Sequence, residues 1–260
     1  MSDIIQSLWI GQELSKIEQL CISSFIKNGS EFHLYTYDQV ENIPSNTVIK
    51  DANEIINKNE IFKTRGGSYA IFADWFRFEL LYKKGGFWVD MDMICLKPFD
   101  FEDEPYVFGR ETQDSVSNAI MKFPKGDKIS RFMADICKEP NTILPYDSRK
   151  ERTKKIKRRY LKGNRRENVG WGEAGGPLGF SRCLQHHKIY NISKPFTYFF
   201  PIHPGNWYTI FDNTFFNNSS FFNGSYTVHL WNEMLRGSNL NKNSTFEENS
   251  LIEDLKSKYL

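Results

Sequence analysis

An α/β domain with a mostly parallel sheet is what this sequence predicts. Two observations point there: the opening residues alternate strand, helix and strand patterns, and the strongest helix signal runs directly into a short apolar strand. Ile4–Ile10 (IIQSLWI) reads as a buried first strand ended by Gly11. Glu13–Lys27 places Leu14, Ile17, Leu20, Cys21 and Phe25 at helical spacing and closes on Asn28-Gly29. Glu31–Tyr37 (EFHLYTY) alternates as a second strand. Gly67–Lys84 is the second helix, with Ala70, Ala73, Phe76, Leu80 and Leu81 on one face and Lys83-Lys84-Gly85-Gly86 as a basic last turn and stop. Phe87-Trp88-Val89 follows as a strand leading into Asp90. Met93–Leu96, Tyr106–Gly109 and Ala119–Phe123 read as further strands and Ile129–Cys137 as a helix; beyond Asn141 the pattern is less regular.

Composition narrows the class. At 260 residues the chain fits one large domain, and no internal repeat or clean linker divides it. An aromatic share of 15% suits stacking on sugars and bases, and equally the packing of a core. The net charge of +2 is unevenly placed, since Arg149–Arg166 holds eleven Lys/Arg and one Glu. That stretch reads as a solvated basic helix or loop, or as a peripheral contact with an anionic membrane worth roughly 1 kcal/mol per residue. Nucleic-acid binding is disfavoured, because no recognisable module accompanies the patch. The four cysteines form no metal-binding spacing and read as reduced thiols of a cytosolic protein. MSDIIQSLWIGQ lacks a basic leader and no run approaches ~20 apolar residues. The expected location is cytoplasmic, with any membrane contact peripheral on the inner face.

Asp90-Met91-Asp92 is where the chemistry concentrates. In an extended or tightly turned segment, residues i and i+2 share a side, so both carboxylates converge. At the carboxyl end of a buried strand they lie where open α/β sheets bind ligands. Two converging acids repel unless a cation joins them, and Mg²⁺ or Mn²⁺ takes oxygen ligands together with substrate phosphates. A pair of solvated acids at a turn is the ordinary alternative, which the flanking Gly-Gly-Phe-Trp-Val and Met-Ile-Cys-Leu oppose. Asp74 and Arg77 share one face of the second helix. They form either a surface ion pair or a part-buried pair able to bind sugar hydroxyls.

The run Ala73-Asp74-x-x-Arg77-x-x-x-Leu81-x-x-x-Gly85-Gly86-x-Trp88-x-Asp90-x-Asp92 resembles the signature of DXD-containing sugar transferases of glycosyltransferase family 32. That group includes bacterial capsule and lipopolysaccharide transferases and fungal mannosyltransferases, with clostridial glucosylating toxins as relatives. Four shorter segments add thinner support: Leu8-Trp9-Ile10-Gly11, Asn118-Ala119-Ile120-Met121, Gly175-Gly176-Pro177 and His229-x-Trp231. At Gly175 the sequence departs from the hydroxyl residue usual in that loop.

The resemblance implies a GT-A fold over residues 1–260, with 1–125 binding the nucleotide-sugar donor and metal and 126–260 forming the acceptor side and closing region. It implies a retaining hexosyl transfer from a nucleotide sugar, UDP-linked before GDP-linked, to a glycan or lipid-linked glycan. Asp92 would bind Mn²⁺ or Mg²⁺, with Asp90 and His229 as further ligands. Asp74, Arg77 and Asn118 would hold the donor sugar, Leu8 and Trp9 the base, and Trp231 would close the pocket. Glu173, Gly176 and Pro177 fall on the acceptor side. Retention by same-face attack is expected, since no nucleophile for a covalent intermediate stands out. Two other classes remain: a DxD phosphohydrolase, opposed by the motif's position far from the first strand and by Ile94, and a non-catalytic sugar-nucleotide-binding protein.

Overall fold

The computed structural model describes residues 4–170 and 172–260. Met1–Asp3 of the opening segment and Trp171 of the glycine-rich Gly170–Gly179 stretch lie outside the described residues. The expected strand, helix and strand open the chain as β1 (Ile4–Trp9), α1 (Lys16–Lys27) and β2 (Glu31–Thr36). The helix begins three residues later than its apolar spacing suggests, because Ser15 caps it. The Ser15 hydroxyl accepts from the Ile17 N–H, and Glu18 accepts from the Ser15 N–H at 2.9 Å. This Ser-x-x-Glu capping box satisfies backbone donors that would otherwise be orphaned. β3 (Val48–Asp51) was not anticipated: it is a four-residue strand at the end of the sheet, half exposed, with too little apolar alternation to read.

The second helix, α2, spans Ala70–Lys84 and is followed by β4 (Gly86–Val89) and β5 (Met93–Cys95). β6 (Val107–Arg110) and β7 (Val116–Phe123) precede α3 (Lys128–Lys138). The basic stretch folds as α4 (Arg149–Leu161), started by a second capping box between Ser148 and Glu151. Then come α5 (Pro177–His186), the short α6 (Phe196–Phe199), β8 (Thr227–His229), α7 (Asn232–Arg236) and α8 (Leu251–Tyr259).

Six strands form one sheet in the order β3-β2-β1-β4-β7-β6. The first four are mutually parallel, and β7 runs antiparallel to both β4 and β6. The α/β class expected from the sequence is therefore what the chain forms. Side chains alternate across this sheet into two cores. Ile5, Phe32, Phe87 and Val89 pack with α1, α8 and the aromatic cluster of Phe99, Phe101 and Phe199. Leu8, Tyr35, Trp88 and Met121 pack with α2, α3 and α5.

Two features of this topology locate the site. From β1 the chain winds outward to β2 and β3, then returns to place β4 on the other side of β1. Winding reverses between β1 and β4, so a crevice opens at their carboxyl ends, at Trp9 and Asp90. The remaining pair, β5 and β8, is a small antiparallel sheet that sets His229 opposite Met93. This pairing brings the C-terminal region back to the Asp90–Asp92 turn.

The turn from α2 into β4 fixes Asp74 and Arg77 relative to Asp90, and it depends on Gly85. Gly85 sits at φ +71°, and a Cβ there would lie 2.6 Å from the Lys125 backbone nitrogen. Gly85→Ala is expected to lower unfolding free energy by at least about 2 kcal/mol through left-handed strain and overpacking. Urea denaturation checks this, and an unchanged midpoint would contradict it.

Candidate active site

A cleft of about 420 Å³ lies at the carboxyl ends of β1 and β4. Its walls combine Leu8 and Trp9 from β1, Asp74 and Arg77 from α2, and Asp90 and Asp92 after β4 with Asn118 from β7. Gly176 and Pro177 at the start of α5 and His229 and Trp231 at β8 complete it. Residues far apart in sequence are thus drawn into one space.

Arg77 organises the floor. Its guanidinium donates to the Asn118 carbonyl at 2.7 Å, pairs with Asp90 Oδ1 at 3.1 Å and lies 3.5 Å from Asp74 Oδ1. It stacks 5.0 Å from the Trp88 ring, whose indole N–H donates to Asp90 Oδ1 at 2.8 Å. The Asn118 amide donates to Asp74 Oδ1 at 2.7 Å and to the Gly175 carbonyl at 2.9 Å. The Asp74–Arg77 pair is accordingly buried and part of a network. A surface pair at this spacing would contribute little, whereas a buried one holds a defined geometry.

Burial pushes the Asp74 carboxyl up to about 6, against the opposing pull of Arg77. Burial raises Asp90 as well, again offset by Arg77. Asp92 behaves differently. Burial alone would raise it, but His229, the Asn232 backbone N–H and Lys242 hold its carboxyl below the usual range. Of the three carboxylates, Asp92 is the one whose pKa is lowered.

Three contacts position Asp92. His229 Nε2 lies 3.1 Å from Oδ2, the Asn232 N–H donates to Oδ2 at 2.8 Å, and the Leu230 N–H donates to the Asp92 carbonyl at 2.9 Å. The Asn232 contact depends on Trp231, which holds the left-handed conformation at φ +54°. That conformation costs about 1–3 kcal/mol for a bulky residue, and such outliers cluster at functional sites. Here it turns the Asn232 N–H toward the carboxylate, while the Trp231 indole donates to the Ile202 carbonyl at 3.2 Å and its ring lies 4.1 Å from that of His229. Asp92 Oδ1 accepts no hydrogen bond from the described residues and is left open for a ligand.

The donor set suits a hard divalent cation only in part. Asp92 Oδ1 and the Asp90 carboxylate supply oxygens at one end of the cleft, which fits Mg²⁺ or Mn²⁺ retaining waters and phosphate oxygens in its shell. No group of three His, Cys, Asp or Glu side chains among the described residues converges as a complete cage. His229 presents Nε2 to Asp92 and buries Nδ1 without a partner. Burial alone would lower its pKa, but the Asp92 charge and hydrogen bond raise it. This arrangement orients the carboxylate, as imidazoles beside metal-binding carboxylates do.

Two expected residues have other surroundings. Glu173 is not in the cleft wall: its carboxylate pairs with Lys154 and, at 2.6 Å, with Arg158 on α4. Partial burial would raise its pKa, but these two cations hold it below the usual range. Gly175 has no room for a hydroxyl side chain, since a Cβ would lie 2.4 Å from Cys137 Sγ and 2.8 Å from Asp74 Cβ. The close packing of α3 on this loop accounts for the departure noted in the sequence. Trp9 is half buried, with its indole N–H bonded to the Glu13 carbonyl at 3.1 Å and its ring at the cleft wall.

Sequence reasoning did not single out Asn232, Glu111 or Ser7, all of which line the cleft. Ser7 ties β1 to β4 by donating to the Val89 carbonyl at 2.8 Å. Trp88 sits inside the recognised motif, yet its bond to Asp90 is legible only in three dimensions.

Two segments of the chain match family models. Residues 15–112, which include Asp74, Arg77, Asp90 and Asp92, match the family model described as the glycosyltransferase sugar-binding region containing the DXD motif. Residues 182–259, which include His229 and Trp231, match the alpha 1,4-glycosyltransferase conserved region. Both models describe glycosyltransferases. Among solved structures, the PaToxG glycosyltransferase is similar at 18% identity over 74% of this chain and 73% of that one, with a TM-score of 0.46. The ligand-free glycosyltransferase domain of the YGT toxin is similar at 8% identity over 75% and 80%, with a TM-score of 0.49. No curated protein matches the chain in sequence.

The raised Asp74 carboxyl has a measurable consequence. The folded state binds its proton more tightly than the unfolded chain, so Asp74 contributes stability below pH about 4 that is lost as pH rises through about 6. Asp74→Asn removes that loss. The variant is expected to gain stability relative to the parent between pH 4 and 7, measured by urea denaturation across that range. A difference independent of pH would contradict the assignment.

Proposed function

We propose that this chain transfers a hexosyl unit from a nucleotide sugar to a glycan or lipid-linked glycan with retention of anomeric configuration, using Mg²⁺ or Mn²⁺ held at Asp92 and Asp90. The observation that carries the reading is the convergence of Asp74, Arg77, Asn118, Asp90 and Asp92 on one cleft at the reversal of the sheet. The family model matched over residues 15–112, the glycosyltransferase sugar-binding region containing the DXD motif, includes Asp74, Arg77, Asp90 and Asp92. A UDP-linked donor is the first choice and a GDP-linked one the second. The sequence resemblance favours a bacterial capsule or lipopolysaccharide glycan as the acceptor class, and the Lys/Arg cluster of residues 149–166 separately suits peripheral contact with an anionic membrane.

Each residue then has a physical task. Leu8 and Trp9 offer an apolar edge and an aromatic face to the base. Asp74, Arg77 and Asn118 form a fixed set of donors and acceptors for the hydroxyls of the transferring sugar. Because these groups are already bonded to one another, little reorganisation accompanies substrate binding. The cation, when bound, neutralises the diphosphate and favours its departure. Asp92 stays ionised to hold it, and His229 and Asn232 keep the carboxylate aimed. The start of α5, at Gly176 and Pro177, puts the positive end of a helix dipole at the cleft wall, favouring the negative charge that develops on the leaving group.

The acceptor oxygen forms its bond to the anomeric carbon on the face from which the diphosphate leaves, and its proton passes to a departing phosphate oxygen. Asp74 is poorly placed as a covalent nucleophile, because Asn118 and Arg77 occupy its Oδ1 and burial favours its protonated form. Carboxylates that polarise the sugar remain compatible with an oxocarbenium-like transition state.

A panel of nucleotide sugars with Mn²⁺ tests the reading, followed by hydrolysis or transfer and by the anomeric configuration of the product. At least one donor is expected to turn over with retention, and Asp92→Asn to reduce the rate by about 10²–10³-fold. Binding of no donor, with parent and variant indistinguishable, would overturn the proposal, as would efficient turnover of a generic phosphoester without any sugar nucleotide.

A further inference from the structure

A second concave surface lies on the far side of the loop that precedes α2. Residues 64–66 and the 154–169 region enclose a cavity of about 470 Å³, which adjoins another of about 420 Å³ sharing Thr64, Arg65, Glu167 and Asn168. Of the cations on these walls, Lys154 and Arg158 are neutralised by Glu173. Lys63, Arg65, Lys157, Lys162 and Arg165 have no carboxylate partner among the described residues, and the one acid in the lining is Glu167. Five exposed cations on the walls of two adjoining hollows, with Arg65 on both, give a positive surface potential that attracts anions.

The walls are held in place rather than drifting. Arg166 pairs with Glu60 at 3.0 Å and lies over the rings of Phe62 at 5.3 Å and Trp75 at 5.2 Å, pinning the 165–168 segment to the start of α2. Lys154 and Arg158 pin α4 to Glu173, three residues from Gly176 at the cleft wall. On the other side, Gly66 is four residues from Ala70, another cleft residue. Short connections thus join the groove walls to the cleft wall at Ala70 and Gly176.

The outward face of α4 adds an independent observation. This helix buries no residue, and it presents Ile156, Tyr160 at 74% exposure and Leu161 at 77% exposure to solvent. Apolar and aromatic side chains set among Lys and Arg on an exposed helix suit the headgroup boundary of a bilayer.

We propose that this basic groove, formed by Lys63, Arg65, Lys157, Lys162 and Arg165, binds phosphate groups of anionic lipid headgroups, holding the cleft against a membrane that carries its acceptor. The choice of acceptor rests on the transferase reading above, but the binding step does not. It seats phosphates between two chain segments, and Leu161, three and four residues from Arg158 and Lys157 on the same face of α4, rests on the lipid surface. Basic residues at such a surface act nearly additively.

The test is co-sedimentation of the full chain, with a chelator present, on vesicles of neutral phosphatidylcholine and on vesicles containing a quarter anionic phospholipid. Binding is expected to the anionic vesicles and not to the neutral ones. The triple variant Arg65→Gln, Lys162→Gln, Arg165→Gln is expected to lower the partition coefficient about a hundredfold. A control with the same charge change elsewhere, Lys125→Gln, Lys128→Gln, Lys138→Gln, is expected to bind close to the parent level. Equal losses in both triples would reduce the effect to net charge and overturn the groove. Absence of parental binding to anionic vesicles would overturn it as well, and tight binding of inorganic pyrophosphate by the parent without vesicle binding would overturn the lipid assignment. Asp92→Asn is expected to bind vesicles like the parent, so failure of the transferase reading leaves this outcome separately legible.

Discussion

The arrangement of the cleft depends on one buried cation. Arg77 touches Asp74, Asp90 and the Asn118 carbonyl within 3.5 Å. Without it, two enclosed carboxylates would face each other across a low-dielectric space, an arrangement that costs several kcal/mol. With it, a helix, the turn after a strand and a strand on the opposite side of β4 are locked at one point. The planar guanidinium is suited to this: it bonds in two directions while its face rests on Trp88.

A division of labour between the acids follows. Asp74 and Asp90 are pushed toward neutrality by burial and restrained by Arg77, so they belong to a hydrogen-bonding framework. Asp92 is kept ionised by donors from the other end of the chain. The strained Trp231 backbone is the device that brings those donors in, and it ties the C-terminal region to the DXD turn. Asp92 thus stays ionised while its Oδ1 is left without a hydrogen-bond partner among the described residues. Asp92 falls within residues 15–112 and His229 within residues 182–259, the two spans matched by glycosyltransferase family models.

Much of this was legible in the residues, and the exceptions have physical causes. The β-α-β opening and α2 declare themselves by period, since their buried faces are long and regular. The i, i+3 spacing of Asp74 and Arg77 and the i, i+2 spacing of Asp90 and Asp92 already imply shared faces. What did not show was set by long-range contact. β3 is too short to alternate visibly, and α5 and α8 were lost in a stretch without clean periodicity. Asn232 acts through its backbone N–H, which no side-chain pattern reveals. Glu173 sits beside the Gly-Gly-Pro turn in sequence, yet α4 draws it away through Lys154 and Arg158. The basic run looked like a single charged segment, whereas its groove takes a second wall from residues 63–66.

Under the proposed function, Asp92 and its neighbours hold a nucleoside diphosphate through a divalent cation. Calorimetric titration of uridine diphosphate and guanosine diphosphate, each with Mn²⁺ and with a chelator, tests it most directly. One of them is expected to bind at least about tenfold more tightly with Mn²⁺, the mark of a coupling free energy of about 1.4 kcal/mol. The same titration on Asp92→Asn is predicted to show no such gain. Equal affinity with and without the cation, or a gain that survives Asp92→Asn, would contradict it.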